Sequence, residues 1–175
     1  MTGTRRIAFG CAVVLLIGAC GAAHPTSTPV QQVTASGGPT LTGKDVRLTT
    51  YRGHPVVLII WASWCGPCKD EQPALNAAYA KWSPRGVAFV GVDMRDTTSV
   101  ALTFQSQNNV PYPSIADTNA VLAYEYRIPS APALVFLNNQ GKVADVVLGA
   151  LGVMSTADFD TEITTLLGTS ATGSA

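Results

Sequence analysis

The sequence predicts an α/β fold, with helices packed on a sheet that has a parallel component, and three observations carry that prediction. Residues 56–62 (VVLIIWA) and 87–92 (VAFVGV) are continuous apolar runs of the kind that form strands buried on both faces. Segments whose apolar residues recur at helical spacing alternate with them. After Pro132, two strand-like runs flank Asn138-Asn139-Gln140-Gly141, whose Asn/Gly content marks a β-hairpin. With 175 residues the chain fits one domain of ordinary size, about 100 to 200 residues.

Taken in order, residues 46–48 read as a short edge strand and 52–55 (RGHP) as a turn; 56–62 is the central strand. From Pro67 to about Trp82, Leu75, Ala78, Tyr79 and Trp82 share a helical face. Pro67 suits the first turn of that helix, whereas Pro73 falls inside it and is expected to bend it. Residues 98–107 and 118–126 read as helices, 133–137 and 142–148 as the hairpin strands. Residues 155–167 close the fold as an amphipathic helix with Phe159, Ile163 and Leu166 or Leu167 inward, capped by Ser155 or Thr156. The domain is expected over 41–168, with 169–175 a disordered tail.

The N-terminus is of another character. Arg5 and Arg6 precede the apolar stretch 7–19, the layout of a secretory signal over 1–19. As a helix, that stretch reaches about 20 Å, short of the roughly 30 Å of membrane hydrocarbon. Residues 16–20 (LIGAC) resemble the lipobox of bacterial lipoproteins, which implies that Cys20 is lipidated and becomes the mature N-terminus; Ile17 stands where leucine is commoner. Thr4-Arg5-Arg6 also resembles a twin-arginine signal, from which Ala8 departs. Several acyl chains at about 0.8 kcal/mol per buried CH₂ make a durable anchor, and the Pro/Ser/Thr/Gly-rich stretch to residue 40 reads as a flexible tether over 20–40. An extracytoplasmic, lipid-anchored protein is the expectation.

Cys11 leaves with the signal and Cys20 is taken by lipid, so Cys65 and Cys68 have only each other in an oxidising compartment. Between strand and helix, Cys65 faces unpaired N–H groups and the positive end of the helix dipole, which favour its thiolate as nucleophile. Cys68, one turn on, is close enough to close a disulfide and to act as the resolving thiol. Gly66 and Pro67 form the turn between them. A structural zinc site needs about four ligands, and the only histidines are His24 in the tether and His54 in a turn, so no metal is expected. Lys69 stands where a haem-attachment motif has histidine. Equal numbers of basic and acidic residues, eleven each, give no electrostatic grip on nucleic acid.

WCGPC after an apolar strand resembles the active-site motif of the thioredoxin superfamily. The longer WASWCGPCKDEQP (61–73) is similar to the TlpA/ResA/DsbE branch of membrane-tethered thiol-disulfide oxidoreductases, and the likeness runs from about Gly43 to Leu167. YRIPSAPALVFLNNQGKV (126–143) is similar to that family's cis-proline and following hairpin, which implies a cis bond before Pro132. The resemblance implies a thioredoxin fold, a central mixed sheet flanked by helices. It also implies an extra helical insertion between the CxxC helix and the cis-Pro strand, matched by 96–117. Thioredoxin's buried acid, six positions before the first cysteine, falls on Ile59; Glu71 matches the acid this branch carries past its second cysteine. A peroxiredoxin site asks for proline and threonine where Val57 and Ala62 stand.

Each of these residues has an expected role and an ordinary reading beside it. Glu71, partly desolvated, can exchange the proton of Cys68, or is a solvated helix charge. A corner at Pro132 offers the Ala131 backbone to an extended substrate. Trp64 shapes the substrate platform or fills the core. The expected activity is disulfide exchange with exported proteins through Cys65 and Cys68, without a bound cofactor, by a monomer. The resemblance implies a reductant, for example in cytochrome c maturation, re-reduced by a membrane electron donor. A disulfide-donating oxidase and a non-catalytic client- or metal-binding module are the alternatives.

Overall fold

In the computed structural model, which describes residues 36–172, β1 (Gly37–Pro39) and β2 (Asp45–Arg47) form an antiparallel pair of their own. The expected tether therefore ends earlier than residue 40. No large side chain announces β1; its glycine does the work of close approach, because a Cβ on Gly37 would lie 2.0 Å from the Val46 carbonyl oxygen. Leu48, expected in the edge strand, instead opens a 3-10 turn over Leu48–Tyr51. Residues 1–19, Cys20, His24 and residues 173–175 lie outside the described residues, so the signal, lipidation, most of the tether and the end of the tail do too, whereas the start of the expected tail, 169–172, is helical. Among the described residues no helix is long and apolar enough to cross a membrane.

The central strand is β3 (Val56–Trp61), all six residues buried, followed by α1 (Gly66–Trp82), which continues through Pro73. Next come β4 (Ala88–Met94), α2 (Thr98–Gln107), β5 (Ser114–Asp117), α3 (Val121–Glu125), β6 (Ala133–Leu137), β7 (Val143–Leu148) and α4 (Thr156–Thr172). The five-stranded sheet has the order β5-β4-β3-β6-β7, with β4 and β5 parallel to the centre and β6 and β7 antiparallel. This is the mixed sheet of a thioredoxin fold.

Several boundaries differ from expectation. β5 lies inside the stretch expected to be helical insertion; with four residues after Pro113, it is too short to show a strand period. The helix expected over 118–126 shrinks to α3, because Asp117 Oδ2 accepts from the Ala123 N–H and Ala120 takes a left-handed backbone. β4 runs two residues beyond Val92 and takes in Asp93 and Met94. α4 continues past Leu167 to Thr172, capped by Ser155, whose hydroxyl accepts from the Asp158 N–H at 3.1 Å.

The side chains of β3 alternate between two cores: Val57, Ile59 and Trp61 with the cysteines and the α1 and α4 side chains, Val56, Leu58 and Ile60 with the other face. Full burial of such residues stabilises by roughly 1.5 to 3 kcal/mol each. Trp61, the last of them, is fixed from three sides. It stacks on Phe104 at 4.6 Å, donates from Nε1 to Ser114 Oγ at 3.2 Å, and leans on Gly91, where a Cβ would sit 2.9 Å from Nε1. The chain thus leaves the sheet at the cysteines from a rigid end.

Candidate active site

Cys65 occupies the N-cap of α1, with extended backbone, and Pro67 sits in the first turn, where its missing N–H leaves no bond broken. Cys65 Sγ accepts from the Cys68 N–H at 3.2 Å, the donor that would also stabilise a thiolate there. The two cysteines form a disulfide, with 5.3 Å between their Cα atoms. Cys65 is 5% exposed and Cys68 1%, so Cys65 is the more accessible residue of the pair. Gly66 and Pro67 are exposed, so the turn itself is a surface.

Glu71 follows one turn on, on the face of Cys68. It is only 9% exposed, and its Oε2 accepts from the Leu151 N–H at 3.0 Å. Burial raises its pKa from 4.5 to about 7, against the lowering effect of that hydrogen bond. A carboxyl poised near neutrality can accept and return a proton. It lines a groove of ≈430 Å³ with Pro67, Asp70, Leu151 and Met154. Lys69 and Asp70, its neighbours, point to solvent.

Trp64 is 54% exposed, beside the disulfide rather than in the core. The Ala131–Pro132 bond is cis, at the position the resemblance implies. Ala133 pairs with Ile60 across the antiparallel β3–β6 ladder, so the 131–132 corner lies at the end of β3 from which the cysteine loop departs. The Ala131 carbonyl accepts from Ser130 Oγ at 3.2 Å and is thus not wholly free for a substrate chain. His54 stays in its turn, its Nδ1–H donating to the Gly86 carbonyl at 3.1 Å, since a carbonyl can only accept. Among the described residues no three His, Cys, Asp or Glu side chains are placed to hold a metal ion.

Three groups near the loop escape a reading of the sequence. Ser63 donates to Asp96 from its backbone N–H, at 2.5 Å, and from its hydroxyl, at 2.8 Å. Asp93, 1% exposed, has no hydrogen-bond partner for either oxygen among the described residues. Burial first, then the neighbouring Asp96 and Asp117, raises its pKa to about 8. In the sequence, GVDMRD reads as a strand ending in a polar loop; the one signal is an acid directly after a buried apolar run.

Comparison with known proteins agrees with this geometry. The thiol-disulfide oxidoreductase ResA of Oceanobacillus iheyensis is 33% identical over 106 residues, 61% of this chain and 55% of that protein. ResA of Bacillus subtilis is 30% identical over 109 residues, 62% and 61% of the respective chains. The chain thus spans less than two thirds of the length of these relatives. The structure of MTB dsbF superposes with a TM-score of 0.68 at 30% identity, covering 77% of this chain and 99% of that one. A secreted Mycobacterium tuberculosis disulfide oxidoreductase homologous to E. coli DsbE gives 0.65 at 28%, covering 73% and 92%. The model of the AhpC/TSA family matches residues 28–146, more than half of the sequence. With its thioredoxin fold and its cysteine pair at the head of α1, this chain belongs to the AhpC/TSA family.

Proposed function

We infer that the protein is a thiol-disulfide oxidoreductase of the ResA/DsbE kind, and the observation that carries this reading is the Cys65–Cys68 disulfide at the N-terminus of α1 with buried Glu71 one turn behind it. In the reducing direction, the Cys65 thiolate attacks a substrate disulfide. A Cys65–substrate mixed disulfide forms and one substrate thiolate leaves. Cys68 gives its proton to Glu71 and attacks Cys65 Sγ, which releases the second substrate thiolate and leaves the Cys65–Cys68 disulfide. Two electrons pass to the substrate, and the couple itself is the redox group, with no bound cofactor. The family match brings no peroxide chemistry with it, since Val57 and Ala62 stand where that chemistry asks for proline and threonine.

The substrates on this reading are disulfides of exported proteins, docked on Trp64 and the Ala131–Pro132 corner. The signal layout of residues 1–19, the lipobox cysteine Cys20 and the secreted neighbour support an extracytoplasmic, lipid-anchored monomer recycled by a membrane electron donor. Cytochrome c maturation is the role we assign to the reductant.

The test is the reduction potential of the Cys65/Cys68 couple, equilibrated with glutathione buffers. A value near the thioredoxin end, about −270 mV, agrees with a reductant; one near −120 mV makes the protein a disulfide donor for folding. If the protein reduces a model disulfide no faster than free dithiol does, the oxidoreductase reading fails and a binding module takes its place.

A further inference from the structure

Two acids, Asp93 near the end of β4 and Asp96 just beyond that strand, lie close behind the active-site loop. Both oxygens of Asp96 accept from Ser63, and Ser63 stands two residues before Cys65, whose own N–H donates to the Ala62 carbonyl at 3.2 Å. Asp96 is thus the anchor of the segment that carries Trp64 and Cys65. Asp93, opposite Trp61 in the β3–β4 register, has both oxygens buried and unpartnered among the described residues. A bare carboxylate there would be deprived of water and of donors alike. Asp96 lies within hydrogen-bonding reach of it, yet two carboxylates cannot bond unless one carries a proton.

The charged surroundings decide which one. Both oxygens of Asp96 are already engaged as acceptors by Ser63, whereas neither oxygen of Asp93 accepts from a donor among the described residues, which leaves Asp93 to carry the hydrogen. Asp117, at the end of β5, adds a second negative charge toward Asp93. From β3 comes only Trp61, and α2 contains no charged residue. Arg95, between the two acids in sequence, lies over the Tyr124 ring at 5.2 Å, and the exposed Lys69 of α1 lines a groove with Ser63.

We propose that Asp93 and Asp96 form a carboxyl–carboxylate latch sharing one proton, which positions Ser63, and through it Trp64 and Cys65, for disulfide exchange. Both are positioning residues. Loss of the proton sets two anions against each other in a dry site and slackens the hold on Ser63. The loop is therefore firm at neutral pH and loosens in the mildly alkaline range.

The functional half of this inference rests on the exchange reading above; the shared proton does not. Carbon-13 NMR of the aspartate carboxyls in the full oxidised chain is expected to find Asp93 still protonated at pH 7, with the Ser63 amide proton moving at the same midpoint. Asp93 titrating near the ordinary value of about 3.9 overturns the latch, whether or not the protein is an enzyme. Asp96→Asn removes the neighbouring anion, and the midpoint of Asp93 is expected to fall; an unmoved midpoint also overturns the latch. For positioning, the wild type and Asp93→Asn, whose amide is a permanent donor, are compared as reduced proteins reacting with oxidised glutathione. The ratio of wild-type to variant rate is expected to fall about tenfold between pH 7 and 9.5, equivalent to about 1.4 kcal/mol. A ratio independent of pH refutes the positioning role. Absence of exchange by the wild type at every pH defeats the oxidoreductase reading instead, and the carbon titration still decides the latch.

Discussion

Replacing Glu71 by glutamine should make the protein's stability less sensitive to pH, and the size of the effect follows from the site. The rise of the Glu71 pKa from 4.5 to about 7 corresponds to about 3 kcal/mol. Between those values the folded protein holds a proton that the unfolded chain has lost, so the contribution of Glu71 is fully present below pH 4.5. It declines as pH rises and is gone above about pH 7. Glutamine keeps the shape and an oxygen to accept the Leu151 N–H, but has no proton to lose. Urea unfolding of both oxidised proteins between pH 4 and 8 measures the difference. The wild type should lose about 3 kcal/mol relative to Glu71→Gln across that range, while Asp93 and all other groups cancel between the two. A difference that stays constant with pH would mean that Glu71 is solvated, and its assignment as the proton acceptor of Cys68 would fall with it.

Other outcomes follow from the same structure. Cys68→Ser should accumulate a mixed disulfide through Cys65, seen by mass spectrometry, while Cys65→Ser should form none; the reverse pattern would exchange the two roles. Gly91→Ala brings a Cβ to 2.1 Å from Ser114 Oγ and should cost roughly 1 to 3 kcal/mol in urea unfolding. An unchanged midpoint would show that the contact around Trp61 is slack. Trp64→Ala, at an exposed position, should leave the unfolding midpoint nearly unmoved but raise KM for a protein disulfide more than for oxidised glutathione; equal effects on both would remove it from the docking surface. Asp160→Ala removes the acceptor of Trp82 Nε1–H, at 2.6 Å, and should destabilise the α1–α4 contact by about 1 kcal/mol, read as a lower urea midpoint.

The parts legible in the sequence are those encoded by neighbours along the chain. The unbroken apolar run 56–61 has no stable place except the middle of a sheet, and Asn138 to Gly141 turn the chain back on itself whatever surrounds them. Cys65 and Cys68 are three residues apart at a strand-to-helix junction, so helix geometry alone brings their sulfurs together. The redox pair, its turn and the central strand needed nothing more.

What the tertiary structure alone decided is the solvation and charge of that pair's surroundings. Glu71 is a helix-surface acid in the sequence; burial in the folded chain raises its pKa to about 7, against the lowering hydrogen bond from the Leu151 N–H, 80 residues away. Asp96 reaches Ser63 across 33 residues, and Asp93 is stranded without a donor because β4 extends two residues beyond its apolar run. β1 and β5 are too short to show a period and exist only because a partner edge accepts their hydrogen bonds. Periodicity and spacing record local geometry, whereas desolvation depends on which distant atoms exclude water, and no run of neighbouring residues specifies that.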